Sequence, residues 1–256
     1  MPFNLNYKQY GNESSSPLLI AHGLFGSLDN WVTLAKQFST DFNVYCVDLR
    51  NHGLSPHTEA FSIELLAEDL NHFIETKIGK PTAVIGHSLG GKAAMHLAIN
   101  FPQSLSKLIV ADIAPKAYPP HHQIILQALH SLDFTSITSR KEAEEMLFKQ
   151  LKDLSTVQFL AKNIARTDDG KLKWKFNLES LTTHIAEVGK PQVGICTLST
   201  LFLRADRSNY VLDSDVEAIQ EQFPFSEINT IENAGHWLHA EQPKAFYEAV
   251  IGFLGK

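Results

Sequence analysis

Cysteine is scarce in this chain: 256 residues hold only Cys46 and Cys196. Neither belongs to a C-x-x-C pair, so no metal site and no disulfide framework is expected. Basic residues are in deficit, 22 Lys and Arg against 28 Asp and Glu, for a net charge of −6. That balance gives no reason to expect a nucleic-acid or anionic-membrane binder. No apolar run approaches the roughly 18 residues of a membrane span. The first eight residues lack a basic start followed by an apolar stretch, so no signal peptide is read and a cytoplasmic protein is expected. Internal repeats and low-complexity tracts are also absent. What is present is ordinary for a globular protein: 44% hydrophobic, 10% aromatic and 20% charged residues. The length suits one large domain, or a domain with an insert, and leaves the oligomeric state open.

Short apolar runs rich in Val and Ile cover residues 18–21, 44–47, 82–85, 107–113, 200–205 and 227–231. Each ends in a loop of Gly, His, Asp or Asn, the pattern of strands buried on both faces. Helical stripes lie between them. Ile63, Leu66, Leu70, Phe73, Ile74 and Ile78 share one face; Ala94, Leu97, Ala98 and Phe101 share another, stopped at Pro102. Alternation of this kind implies right-handed crossovers and a mostly parallel sheet flanked by helices, an α/β fold. It breaks between Lys116 and Cys196, where no strand is expected and four helical stripes are, over 125–132, 143–151, 157–164 and 178–188. The expected organisation is a core of residues 1–115 and 197–256 with a helical cap, 116–196, inserted before the penultimate strand. Such a cap would cover the C-terminal strand ends, where parallel sheets bind ligands.

Gly86-His87-Ser88-Leu89-Gly90 is a G-x-S-x-G sequence between a strand run and a helical stripe. That context suits a nucleophile elbow, in which a strained turn exposes the serine hydroxyl at a helix N-terminus. Ser88 is the candidate nucleophile. His22-Gly23-Leu24-Phe25-Gly26 follows the first strand run and would lie beside the elbow. The backbone N–H groups of Leu24 and Leu89 are therefore the expected oxyanion donors, and Phe25 the expected acyl-pocket residue. His22 is read as a structural loop histidine. Asp48-Leu49-Arg50-Asn51-His52-Gly53 reads as a scaffold loop with an Asp48–Arg50 ion pair, and His52 is not taken as a base. His236, in Gly235-His236-Trp237-Leu238-His239-Ala240-Glu241 after the last strand run, is the candidate base. His239 is expected to start the closing helix, and the remaining histidines, the pair His121-His122 included, to be solvated.

These motifs in this order resemble the α/β-hydrolase superfamily. Within it, HGLFGSLDN at 22–30, DLRNHGLSP at 48–56, GHSLGGKA at 86–93, DIAP at 112–115 and GHWLHAE at 235–241 resemble the YbfF-type esterases, as does Trp174-x-Phe176-Asn177. The resemblance implies a helically capped carboxylesterase acting on acyl esters or acyl-CoA thioesters, with no cofactor and no metal. One departure stands out. The superfamily's usual acid position is occupied here by Ser208. The YbfF-type pattern is similar in this respect and implies Asp112, after the preceding strand, rather than Asp206. Two other functions share the fold. A lyase of the menaquinone pathway would need basic residues such as Lys92 and Lys116 facing its substrate, and a non-catalytic receptor would close its cap over a small ligand.

Overall fold

The computed structural model describes residues 1–120 and 122–255. The chain opens with β1 (Tyr7–Tyr10), β2 (Ser16–Ala21), α1 (Val32–Phe38) and β3 (Phe42–Val47). It continues through α2 (Ile63–Phe73), β4 (Thr82–His87), α3 (Leu89–Asn100) and β5 (Leu105–Ala111). A long insertion then carries α4 (Gln123–His130), α5 (Arg140–Leu151), α6 (Leu154–Ala161), β6 (Ile164–Arg166), β7 (Leu172–Trp174), α7 (Leu178–Thr183) and α8 (Ile185–Val188). The closing part is β8 (Thr200–Ala205), α9 (Val216–Gln222), β9 (Ser226–Ile231), α10 (Leu238–Glu241) and α11 (Pro243–Leu254).

The main sheet runs β1-β3-β2-β4-β5-β8-β9, with β1 antiparallel and the other six strands parallel. All six strand runs read from the sequence are strands. The four inner parallel strands and β3 are buried along nearly their whole length, which explains their unbroken apolar character. β9 lies at the edge and alternates in burial instead. Each sheet face carries its own core. α2 and α3 close one with Leu66, Leu70, Ala94 and Leu97; α1 and α11 close the other with Leu34, Phe38, Phe246 and Val250. This three-layer α/β sandwich is the fold that the resemblance implied.

Three expectations need correction. β1 was not anticipated: it is a short edge strand whose residues are mostly exposed, so it carries no buried apolar run. The insertion is not wholly helical. β6 and β7 form an antiparallel hairpin where no strand was expected, and the stripe over 157–164 stops at Ala161 because Ile164 pairs with Trp174. The stripe over 178–188 is two short helices meeting at His184.

Strand order reverses between β2 and β4, since the chain winds from β2 toward β3 on one side and from β4 toward β5 on the other. Loops leaving the C-terminal ends of strands at such a switch point splay apart and leave a crevice. Parallel register aligns Ala21 with Gly86, His87 with Ala111 and Ala111 with Leu203. The residues just beyond these strand ends, His22, Ser88 and Asp112, therefore emerge at one level.

Candidate active site

Ser88 follows β4 with φ 51° and ψ −113°, a conformation that L residues rarely adopt. Glycines on either side make the turn possible. A Cβ at Gly86 would stand 2.3 Å from the Gly90 carbonyl oxygen, and one at Gly90 2.4 Å from that of Ala21. The Ser88 N–H donates to Ala111 O at 3.0 Å, pinning the elbow to β5. Leu89 then begins the twelve-residue α3, so its N–H has no partner within the helix.

The loop after β2 runs against the elbow. A Cβ on Gly23 would lie 3.3 Å from Ser88 Cβ and 2.8 Å from His87 Nδ1, so only glycine lets the backbone approach so closely. Gly26 N–H donates to Gly23 O at 3.0 Å, closing a tight turn with Leu24 and Phe25 at its centre. Phe25 has φ 58°. Among the described residues, the Leu24 N–H has no hydrogen-bond partner.

His236 follows β9, and its Nδ1 lies 2.7 Å from Asp112 Oδ2. Asp112 is fully buried, sits one residue past β5 at φ 49°, and also receives the Ala205 N–H on Oδ1 at 3.2 Å. A third donor was not foreseen. Ser208, the residue in the superfamily's usual acid position, gives its hydroxyl to the same Oδ2 at 2.5 Å. Three donors thus converge on this one buried carboxyl group. Tyr210, also unforeseen, stacks its ring on His236 with centroids 3.9 Å apart and planes 16° apart. Burial pushes its phenol up to about 12, so it stays neutral near neutral pH. Asp206 is exposed and accepts the Ala234 N–H at 3.0 Å; among the described residues no hydrogen bond or ion pair joins it to His236.

Ser88 and His236 line one cavity of about 170 Å³ together with Gly23, Leu24, Phe25 and Tyr210. Ile125, Thr156, Phe159 and Leu160 of the insertion complete the wall. His122 lines it too, against the expectation that this histidine is solvated, while His121 lies outside the described residues. His87 is likewise buried rather than solvated, with Nε2 2.8 Å from the His236 carbonyl oxygen. A bond from the elbow to that carbonyl fixes the loop bearing His236. Burial, with the nearby His239 and His236, holds His87 well below the usual histidine value, so it stays neutral and donates through Nε2–H.

His22, Arg50 and Asp48 of the neighbouring loops bond within the scaffold. His22 Nε2 accepts the Leu49 N–H at 3.0 Å, and burial pushes its titration down to about 4. Arg50 does not pair with Asp48. Its guanidinium makes a bidentate bond to Asp69, 2.6 and 2.8 Å, both groups being buried. Asp48 is spent on Asn6 Nδ2, the Leu28 N–H and the Leu54 N–H, which fold the loop on itself. The lysines that a lyase would need face elsewhere. Lys92 Nζ donates to the carbonyls of Lys116 and Lys190, and Lys116 pairs with Asp215. His239 sits within the short α10 and stacks on Trp31 at 4.2 Å.

Comparison with known proteins agrees with this architecture. A family model described as alpha/beta hydrolase fold matches residues 16–243. The sn-1-specific diacylglycerol lipase ABHD11 of Danio rerio is 37% identical, the match covering 99% of this chain and 83% of that one. Esterase YbfF of Escherichia coli (strain K12) is 33% identical over 99% of each chain. Among solved structures, a marine microorganism esterase superposes with a TM-score of 0.95 at 40% identity, covering 98% of this chain and 99% of that one.

Proposed function

The chain belongs to the α/β-hydrolase family, with YbfF-type esterases among its relatives, and from that premise we propose that it is a serine esterase of short to medium acyl esters. The observation that carries the reading is the 2.7 Å bond from His236 to buried Asp112, on a histidine that shares a small cavity with the strained Ser88.

With Nδ1–H bound to Asp112, the neutral imidazole presents Nε2 as its acceptor. Ser88 Oγ attacks the acyl carbonyl while His236 Nε2 takes the hydroxyl proton. Negative charge moves to the carbonyl oxygen, where the Leu24 and Leu89 N–H groups receive it, helped by the N-terminal dipole of α3. Collapse of the tetrahedral intermediate breaks the bond to the leaving alcohol, which His236 reprotonates. Water then attacks the acyl-enzyme by the same route in reverse, releasing the acid and restoring Ser88. A thiol leaving group follows the same steps, so acyl thioesters, acyl-CoA included, are within the chemistry. Asp112 orients the imidazole and stabilises the imidazolium.

Residues 116–196 act as a cap in this reading, since the insertion supplies Ile125, Thr156, Phe159 and Leu160 to the cavity wall. A volume of about 170 Å³ is below the roughly 300–1,000 Å³ of drug-sized sites, which favours short chains packed against Phe25.

Purified Ser88→Ala protein tests the proposal with p-nitrophenyl esters of graded chain length. Turnover is expected to fall by about 10⁴-fold or more, as for loss of a nucleophile elsewhere. The wild type is expected to prefer butyrate to palmitate. Near-wild-type hydrolysis by the alanine variant defeats the assignment, and preference for palmitate defeats the substrate range.

A further inference from the structure

Phe25 is the least comfortable residue of the turn beside Ser88. With Gly26 N–H bonded to Gly23 O, a negative φ at Leu24 and φ 58° at Phe25, the turn has type II geometry. Its third position ordinarily goes to glycine, because a side chain there crowds its own backbone. The alternative is a type I turn, which L residues at both centres adopt readily. The two differ by a half-turn flip of the central peptide, here the one joining Leu24 to Phe25. Some contact must therefore hold this peptide in the less favoured orientation.

That contact is a side chain from another loop. The Phe25 N–H donates to His52 Nε2 at 3.2 Å. His52 Nδ1 lies 2.9 Å from the Arg50 carbonyl, which can only accept, so the ring proton is on Nδ1 and Nε2 is the acceptor. Both ring nitrogens are committed, the residue is fully buried, and it does not line the cavity. Burial, with His22 nearby, pushes its titration down to about 3, in keeping with a ring that must stay neutral. The insertion fixes the same loop from the other side: the His52 backbone bridges Phe176, and Asn177 N–H donates to Asn51 O at 2.9 Å.

We propose that His52 is a positioning residue for oxyanion binding: its Nε2 holds the Phe25 N–H, locks the type II turn and so aims the adjoining Leu24 N–H at the carbonyl oxygen over Ser88. The inference rests on the esterase reading and goes beyond it, since His52 touches neither substrate nor any group that reacts. A flip of the Leu24–Phe25 peptide would break the Phe25–His52 bond and tilt the donor next to it.

Two isosteres separate this role from simple packing. His52→Gln keeps an acceptor oxygen near the Nε2 position, whereas His52→Asn keeps a donor near the Nδ1 position, where it can still serve Arg50 O. Steady-state kinetics on p-nitrophenyl butyrate and the rate of labelling by a fluorophosphonate are measured for both. Removing an oxyanion donor outright costs about 10²–10³ in kcat, so misaiming one should cost roughly 10- to 100-fold. The asparagine variant is expected to show that loss in kcat with KM within about threefold, and a matching loss in labelling rate, because the phosphonyl oxygen occupies the same place. The glutamine variant is expected to stay within about fivefold of wild type. Equal kcat for wild type and the asparagine variant, equal losses in both variants, or a change confined to KM each overturn the proposal. Ser88→Ala serves as the control for the parent reading. If it is inactive while the asparagine variant is fully active, only the role of His52 falls.

Discussion

At the residue scale the decisive question is which carboxylate serves His236. Asp206 and Asp112 both lie between serine and histidine in the chain, and Asp206 is nearer the position usual in this superfamily. Asp112 is buried and receives the His236, Ser208 and Ala205 donors, while Asp206 is exposed and binds a backbone N–H. An amide at 112 would favour the wrong imidazole tautomer and leave the Ser208 hydroxyl without its anionic partner. Asp112→Asn is therefore expected to lower kcat by about 10³–10⁴, and Asp206→Asn by less than about tenfold. Parallel kinetics of the two amides decide it, and a crippled Asp206 variant would reverse the assignment. Asp112 was reached through family resemblance and strand order. Ser208 could not have been, because 96 residues of chain separate it from the oxygen that it binds.

At the element scale, the neck of the insertion is held by one residue of the elbow helix. Lys92, fully buried on α3, donates to Lys116 O at 2.6 Å and Lys190 O at 2.8 Å, where the insertion leaves and rejoins the sheet. Its Nζ also lies 4.9 Å from the Tyr118 ring centroid. Lys92→Met would leave two part-buried carbonyls without this donor, at up to about 1–3 kcal/mol each, offset in part because no ammonium then needs burying. The expected net loss is about 1–3 kcal/mol in urea unfolding, with faster tryptic cleavage after Lys116. Unchanged stability and cleavage would show that the neck is held by its other bonds, Tyr118 N–H to Gly189 O and Gln192 N–H to Pro115 O. In the same region the sequence did offer a signal that periodicity overlooked. Asp169-Gly170 lies between Ile164–Arg166 and Leu172–Trp174, and Gly170 takes φ 83° in the hairpin turn.

At the scale of the whole molecule, four histidines are buried in the neutral form around the site: His22, His52, His87 and His239. Burial is the leading cause of each lowered value, about 4 for His22 and about 3 for His52 and His239. The unfolded chain titrates them near 6.5. Between about pH 6.5 and 4 the unfolded state thus binds protons that the native state refuses, and stability falls as pH falls. Above 6.5 the contribution is fully present. Each histidine adds up to about 1.4 kcal/mol per pH unit, so the four together approach 5 kcal/mol per unit near pH 5. Urea unfolding at pH 7.5 and 5.0 is expected to differ by several kcal/mol, and a flat profile would contradict neutral burial. His239→Phe, which keeps an aromatic ring against Trp31, is expected to remove about a quarter of the slope.

The sequence by itself determined the alternation of strands and helices, the elbow at Ser88, the loop histidine at 236 and the glycines that let the loops meet. Each of these is written within a few neighbouring residues, as a run of Val and Ile, a G-x-S-x-G, or a Gly beside a His. Only the tertiary structure decided partners. It paired Arg50 with Asp69 rather than Asp48, put His122 and His87 at the site, laid Tyr210 on His236, and spent Ser208 on Asp112 and His52 on Phe25. The reason is geometric. A buried donor takes whichever acceptor the sheet register and the docking of the insertion bring within about 3 Å, and that distance has no counterpart in spacing along the chain.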